Sequence, residues 1–458
     1  MSRPSIARWT NDDAPAGRRE WSLTVAGDTT FTDATQPTVG EDLRAALADA
    51  DLAVTNLEAP IAGRGSPISK SGPVTETVAE TPEFALEMGF DAVTLANNHL
   101  MDMGPEGLEH TVERCREAGL ETCGVGESPT DALDPLRTDV GGQSVAIVNV
   151  CEREFGAADR GGPGTAWVGH ADATGAVREA EERADVVVVV AHGGVEYLPL
   201  PPLGHQRRLR SFAEAGADLV VGHHPHVPQG WERHAETPIC YSLGNFRFDI
   251  PGRTKTEWGL LVDATFAGET LVSVDLRPVE RRDDAVAFMG ERWSVEDHRP
   301  YFERVSGITA DRDALQAHWQ ELAVRIFEQR YGRWLRIGTG SDLPSLIRHP
   351  LQYLHGERLW SGDDRERELL TLLNLVRNES HRDLIETAVS VKTGDRPDRR
   401  TPEVRETVRE LLAQTEDEPV YDRPSPAIQL FNAVSARLRE SITQTGKRLR
   451  PRSVSDRL

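Results

Sequence analysis

Along the first half of the chain, short apolar runs of strand length alternate with stretches that repeat their apolar positions every three to four residues, the spacing of a helix. Trp21 to Ala26 reads as a strand running into Gly27-Asp28-Thr29-Thr30. Residues 41 to 50 have helical spacing, and Asp51 to Thr55 form an apolar run that ends at Asn56-Leu57-Glu58. A helix around residues 82 to 89 precedes the strand Ala92 to Leu95, which opens into Ala96-Asn97-Asn98-His99 and a helix from about Pro105 to Ala118. A helix over residues 173 to 183 leads to Asp185 to Ala191. This run is mostly valine, which predicts a central strand buried on both faces, and it ends in His192-Gly193-Gly194. The helix of residues 204 to 215 leads to the strand Ala217 to Val221 and then to Gly222-His223-His224-Pro225-His226. Strand alternating with helix in this way predicts an α/β fold whose polar groups gather at strand ends.

From about residue 237 the pattern changes to strand after strand: Pro238 to Ser242, Glu257 to Phe266 and Thr270 to Leu276. Beyond Arg281 the spacing turns helical, as in residues 312 to 331 and 365 to 377. The expected organisation is an α/β domain over residues 20–285, a helical region over 286–395 and a helical tail with a basic end over 396–458. Asp395 to Thr401 is charged and contains proline, which predicts a hinge or linker. The last helix carries Ile428, Phe431, Val434 and Leu438 on one side and is followed by a basic end. A solvated or docking tail is favoured there over contact with an anionic membrane.

The length of 458 residues exceeds what one ordinary core supports, about 250–300 residues, and agrees with more than one unit. Acidic residues outnumber basic ones by 74 to 52, and only Lys70, Lys255, Lys392 and Lys447 are lysine. A net charge of -22 repels the phosphate backbone, so DNA and RNA are excluded as expected partners. An acidic, lysine-poor surface stays soluble in strong salt, a halophilic composition, with arginine-coding bias as the duller explanation. Cys115, Cys123, Cys151 and Cys240 have no paired spacing and read as ordinary buried thiols. The N-terminal twenty residues hold no apolar run of signal-peptide kind, and no stretch approaches the roughly 20 apolar residues of a membrane span, so the expected location is cytoplasmic.

The residues at the strand ends change the picture from fold to chemistry. A site for divalent metal needs hard oxygen and imidazole ligands, one carboxylate able to bridge two ions, and room for water and substrate. Asp28 and Glu58 offer carboxylates, Asn98 an amide oxygen, and His192, His224 and His226 imidazoles suited to Mn, Fe, Ni or Zn. His224 and His226 are two residues apart, which in extended chain would send their rings to opposite faces. A loop stiffened by Pro225 can turn both inward. Taken singly, an Asp after a strand is more often a turn or cap residue, an Asn-Asn-His a turn, and a strand-end histidine a satisfied core residue. Their shared position at the ends of successive strands, where α/β folds form ligand crevices, favours a common site. His223 is expected to face away from it.

GDTT, NLEAP, ANNHLMDMG, AHGGVEY, GADLVVGHHPHVPQG and YSLGNF together resemble the bacterial capsule-synthesis (CapA-type, poly-gamma-glutamate) family of the calcineurin-like metallophosphatases, over about residues 21 to 250. The resemblance implies a sandwich of two central β-sheets flanked by helices. It also implies a first metal at Asp28, Glu58 and His226 and a second at Glu58, Asn98, His192 and His224. His99 would act near the leaving group, with Asp102 placed to orient it or to hold the loop. Asn56, Asn97, Glu196, Tyr197 and Asn245 become candidates for substrate contact or support of the ligands. Two departures stand out: Thr30 replaces the superfamily's usual histidine, and Glu58 with Asn56 replaces its usual bridging aspartate segment, which weakens the expectation of two ions. The implied activity is hydrolysis of a phosphoester in a small molecule or polymer by a hydroxide generated at the metals. The alternatives are an accessory role in making a surface polymer and a non-catalytic metal-binding scaffold.

Overall fold

The computed structural model describes residues 3–14, 17–158, 162–282, 284–339 and 365–417; the last helix expected around Ile428 to Leu438 and the basic end after it lie outside them. Two large sheets organise the described residues. One has ten strands, of which Glu20–Thr29, Leu52–Leu57, Ala92–Thr94 and Glu121–Cys123 run parallel side by side, with Trp258–Ala267 and Thr270–Arg282 added antiparallel on the other flank. The other has six strands, built on the parallel set Gln143–Cys151, Val186–His192, Leu219–His223 and Thr237–Cys240.

Period-two alternation decides how the sheets stack. Leu23, Val25 and Val54 from the first sheet share one buried cluster with Val145, Ile147, Val186, Val188, Val190 and Val221 from the second. The intervening residues face outward under helices. Val187, Val189 and Ala191 meet Leu209 and Phe212, whereas Ala26, Ala53 and Val93 meet Leu43, Leu47 and Phe84. The valine run is thus buried on both faces, as its composition predicts, and each valine side chain contributes roughly 1.5–3 kcal/mol of burial. This is the expected two-sheet α/β sandwich. Its ligand-bearing strands divide between the sheets, Asp28, Glu58 and Asn98 coming from one and His192, His224 and His226 from the other.

The boundary expected at residue 285 does not separate two bodies: the chain through Glu416 is one compact unit. Tyr301, Phe302, Trp319, Leu322, Leu384 and Leu411 from the helices belong to the same apolar cluster as the inner faces of the sheets. The helices start where the sequence caps them, with Ser294, Asp311, Asn378 and Thr401 each accepting from a backbone N–H of the first turn. Nor is Asp395 to Thr401 a free hinge, because Gln320 donates to the Pro397 carbonyl at 3.0 Å and accepts from Arg399 N at 2.8 Å.

One buried cluster fastens the helix Glu379–Thr393 to the sandwich. Glu152 accepts from Ser380 Oγ at 2.7 Å and Ser380 N at 3.2 Å, lies 3.1 Å from His205 Nδ1, and is paired with Arg208. Burial opposes its charge, but Arg208, His205 and Ser380 outweigh that and hold the carboxyl low. Glu379 accepts from Arg153 N and Trp167 Nε1, and Arg377 donates to the Glu154 carbonyl. The Glu152 N–H bonds the carbonyl of His192, so the helical part is bolted beside a candidate ligand.

Asp218 shows what burial costs a carboxyl without a cation. It accepts from Val187 N at 2.8 Å, and burial, with Glu181 and Glu269 nearby, pushes it up to about 6. A raised folded value gives stability that is complete below the unfolded value near 4 and is lost as pH rises through 6. Asp218→Asn keeps an acceptor for Val187 and removes the ionisation penalty. The variant is expected to be more stable than the parent by about 1–2 kcal/mol at pH 8, allowing for partial solvent screening, and indistinguishable at pH 4. Urea melts of both proteins across that range check the sign.

Candidate metal centre

Each polar group reaches the centre because a strand stops there. Asp28 lies near the end of Glu20–Thr29, in parallel register with Asn245 on one side and Asn56 on the other. This register depends on Gly27, where a Cβ would come within 2.2 Å of the Gly244 carbonyl oxygen. Glu58 follows Leu52–Leu57 and bonds through its N–H to Thr29 O at 3.1 Å. His192 ends its strand, and His223 is its register partner on the next. The chain then twists: His224 and His226 adopt φ of 98° and 58°, left-handed values that cost a non-glycine residue on the order of 1–2 kcal/mol each. These two twists turn both rings inward despite their two-residue spacing.

Two sets of ligand atoms lie within 4.8 Å of one another, Glu58 with His192 and His224, and Asp28 with Glu58 and His226. They share Glu58. His192 Nε2 stands 3.4 Å and His226 Nε2 3.7 Å from Glu58 Oε1, whereas His226 Nδ1 stands 3.6 Å from Asp28 Oδ2. Asn98 Oδ1 and His224 Nδ1 each approach His192 Nε2 to 3.1 Å. A single ring proton serves at most one of those two acceptors well. Both Glu58 oxygens are fully buried with no hydrogen-bond partner among the described residues. Burial first, and then the nearby Asp28, push its carboxyl well above the usual range. Burial, with His224 beside it, holds the His192 imidazolium well below its ordinary range, and burial brings His224 down to about 4. Burial thus favours the neutral form of both rings, the form that offers a lone pair to a cation. Converging neutral imidazoles, an amide oxygen and an unpartnered buried carboxylate fit a divalent cation. Five of the six residues expected as ligands fall in these two sets, and Asn98 joins them through its Oδ1, 3.1 Å from His192 Nε2.

The flanking candidates separate into distinct jobs. Asn56 donates to Asp28 Oδ1 at 2.8 Å and lies 3.3 Å from His192 Nδ1, so it aims both. Asn245 Oδ1 lies 2.9 Å from His226 Nδ1. Asn97 braces the loop that carries Asn98 and His99. It is fully buried, donates to Leu57 O at 2.7 Å and accepts from the N–H groups of His99 and Leu100. Glu196 is partly exposed. Burial opposes its ionisation, but its carboxyl is held low by His224, His226 and His99, which places it in their field. Tyr197, at φ 64°, carries the Arg253 guanidinium over its ring.

His223 corrects the expectation that it faces away. Its Nδ1 lies 3.1 Å from Asp28 Oδ1, and the His224 N–H donates to the other oxygen of the same carboxylate at 3.2 Å. Burial opposes Asp28's charge, but the bond from His223 and the fields of three histidines lower its carboxyl far below the usual range.

His99 and Asp102 form a second constellation with two residues that sequence reasoning missed. Asp102 Oδ2 accepts from His99 Nδ1 at 2.7 Å and from Thr75 N at 2.9 Å, and Oδ1 pairs with Lys70. Lys70 also donates to the Asn98 carbonyl at 3.2 Å. The Lys70 and Asp102 side chains are 2% and 1% exposed, a buried ion pair. Both oxygens of Asp102 are thus engaged by His99, Thr75 and Lys70. Burial, followed by Lys70, lowers the His99 imidazolium, with Asp102 opposing. The signal for Lys70 was its rarity among the basic residues; Thr75 carried none. Glu154, pushed up to about 7 by burial, is a further carboxyl with no sequence signal. The four cysteines are buried, with thiols at about 12 by desolvation, as ordinary core residues.

Comparison with known proteins places this geometry in context. A family model described as bacterial capsule synthesis protein PGA_cap matches residues 16–250. The PGA biosynthesis protein CapA of Bacillus subtilis is 37% identical over 192 residues, 41% of this chain and 50% of its own length. The capsule biosynthesis protein CapA of Bacillus anthracis is 32% identical over 206 residues, 44% of this chain and 50% of its own. The match thus spans about half the length of these curated relatives. Among solved structures, a 5'-nucleotidase from Candida albicans superposes at a TM-score of 0.35 and 10% identity, covering 66% of this chain and 57% of its own.

Proposed function

Because the chain belongs to the PGA_cap family of bacterial capsule synthesis proteins, we propose that its buried centre is that of a metal-dependent phosphoesterase-like hydrolase acting on a phosphorylated small molecule or polymer. The observation that carries this reading is Glu58, a fully buried carboxylate without a hydrogen-bond partner among the described residues, shared by two sets of converging ligands. Asp28, Glu58 and His226 would hold one divalent ion, and Glu58, Asn98, His192 and His224 a second. Such ions polarise a phosphoryl oxygen and make water acidic enough to attack at neutral pH.

The chain's own residues do the rest. Asn56 and His223 fix the Asp28 carboxylate, and Asn245 fixes the His226 ring. With Nδ1–H donated to Asp102, His99 would hand a proton from Nε2 to the leaving oxygen in its imidazolium form, which Asp102 favours against burial and Lys70. Burial of Asp28, Glu58, His192, His224 and His226 lowers the local dielectric and strengthens each electrostatic contact.

Purified protein assayed with Mn, Ni or Zn on a chromogenic phosphodiester tests the reading. Turnover that requires metal is expected. Absence of turnover together with absence of bound metal in elemental analysis overturns it. His99→Gln is expected to lower kcat by about 10²-fold, in the range for a lost general acid, with metal content unchanged; loss of the metal along with the rate would instead make His99 a structural support.

A second reading is favoured by the relatives' names: an accessory protein in making a surface polymer, with the same centre cutting or transferring another bond. Deletion that removes an anionic polymer while the purified protein ignores phosphoesters selects it.

A further inference from the structure

We propose that the helical part carries a separate binding site for a small multivalent oxyanion, in a cavity of about 550 Å³ lined by Arg325, Lys392, Arg400 and Arg405 around Glu321 and Glu328. The cavity opens between the helix Arg312–Ile326 with its continuation Phe327–Tyr331, the end of Glu379–Thr393, and the start of Pro402–Thr415.

The charge balance of this cavity runs against that of the chain. The chain has a net charge of -22, so an excess of cations over carboxylates in one concavity runs against its composition. Lys392 is matched by Glu328, and Arg400 by Asp398 at 2.8 Å. Glu321, with a side chain only 8% exposed, is left to three guanidiniums: Arg325 at 3.4 Å, Arg400 at 3.5 Å and Arg405 at 3.9 Å. None of the three is a short, well-formed pair, and Arg325 Nε is buried without a hydrogen-bond partner among the described residues. Guanidinium does not deprotonate in a protein, and the four cations of the cavity outnumber Glu321, Glu328 and Asp398, so a positive excess is left for an anion from outside. Planar forks arranged around a polar cavity suit carboxylate or phosphate oxygens.

The sign of two substitutions separates a site from a plain salt-bridge cluster. In the full chain, stripped of metal with chelator and held at constant ionic strength, inorganic phosphate and citrate are titrated while binding is read by calorimetry and thermal shift. Saturable binding of at least one is expected, and which of the two binds tells phosphate chemistry from carboxylate chemistry. Arg405→Gln is expected to weaken binding at least tenfold, and Glu321→Gln, which removes the competing carboxylate, to tighten it at least threefold. If neither anion binds beyond the effect of sodium chloride, or if Glu321→Gln only lowers the melting temperature and leaves affinity unchanged, the arginines serve Glu321 alone and the proposal falls. Binding that survives Arg405→Gln and appears only when metal is restored places the anion at the metal centre and also overturns it. Failure of this proposal leaves the phosphoesterase reading standing, because that reading is tested by turnover at the metal centre.

Discussion

Glu58→Gln is expected to abolish metal-dependent turnover, by about 10³-fold or more, while raising the stability of the metal-free protein. Both effects follow from the same two oxygens. As an anion, Glu58 belongs to both ligand sets and stands 3.4 and 3.7 Å from the Nε2 atoms of His192 and His226. Glutamine keeps the shape but supplies one neutral oxygen and an N–H₂ that repels a cation, so neither ion keeps its shared ligand. The loss of a metal that both polarises substrate and activates water accounts for a rate loss of about that size. Without metal the balance reverses. Burial and Asp28 make an ionised Glu58 costly, which pushes its carboxyl well above the usual range, and an amide is free of that cost. Elemental analysis, turnover and thermal melts with and without chelator measure the three quantities. A Glu58→Gln protein that retains full metal content and activity would remove the bridging role, and one that melts lower without metal would remove the electrostatic account.

Lys70→Met is expected to destabilise the protein by roughly 3 kcal/mol, the cost of stranding one member of a buried ion pair. Asp102 Oδ1 would lose its cation, whereas Oδ2 would still hold His99 and Thr75. The Asn98 carbonyl would also lose a donor, on the residue that offers Oδ1 to His192. A fall in kcat accompanies the loss, because His99 and Asn98 are both held through Lys70. Asp102→Asn on the Lys70→Met background is expected to recover part of the stability and little of the rate, since the unpaired charge disappears and with it the carboxylate that holds His99 Nδ1. A double-mutant cycle by urea melts gives the coupling, and an additive result would mean that the pair contributes nothing as a pair.

The legibility of this site in the sequence divides along physical lines. The valine run before His192 could be read because a strand buried on both faces leaves no polar position in its pattern. The strand-end positions of Asp28, Glu58, Asn98 and His224 followed from the same periodicity. Nothing in that pattern says that they come from two different sheets, since stacking depends on contacts between distant segments. His223 went the wrong way for a local reason. Alternation along an extended strand places it opposite its neighbours, whereas the left-handed turn at His224 brings the neighbours round to join it. Lys70 and Thr75 lie in a loop without periodicity, so their tie to Asp102 is visible only in three dimensions. The hairpin Leu136–Val140 and Gln143–Cys151 falls outside the expected strand-helix units, although Gly141-Gly142 between two apolar runs is a hairpin signal. The change from strand to helix periodicity near residue 285 marks a change of element and not the end of a core, since the helices beyond it join the same apolar cluster.

The fastening at Glu152 bears on what part of this chain is portable. Its carboxylate is matched by Arg208 and His205 from one side and by Ser380 from the other, directly behind the carbonyl of His192. An engineer who transplanted only the front of the chain would carry along a charge whose counterparts were half missing, with the disturbance arriving first at His192, a candidate metal ligand. The natural unit for grafting, crystallisation or truncation is therefore the stretch that ends at Glu416, not the stretch defined by similarity to relatives.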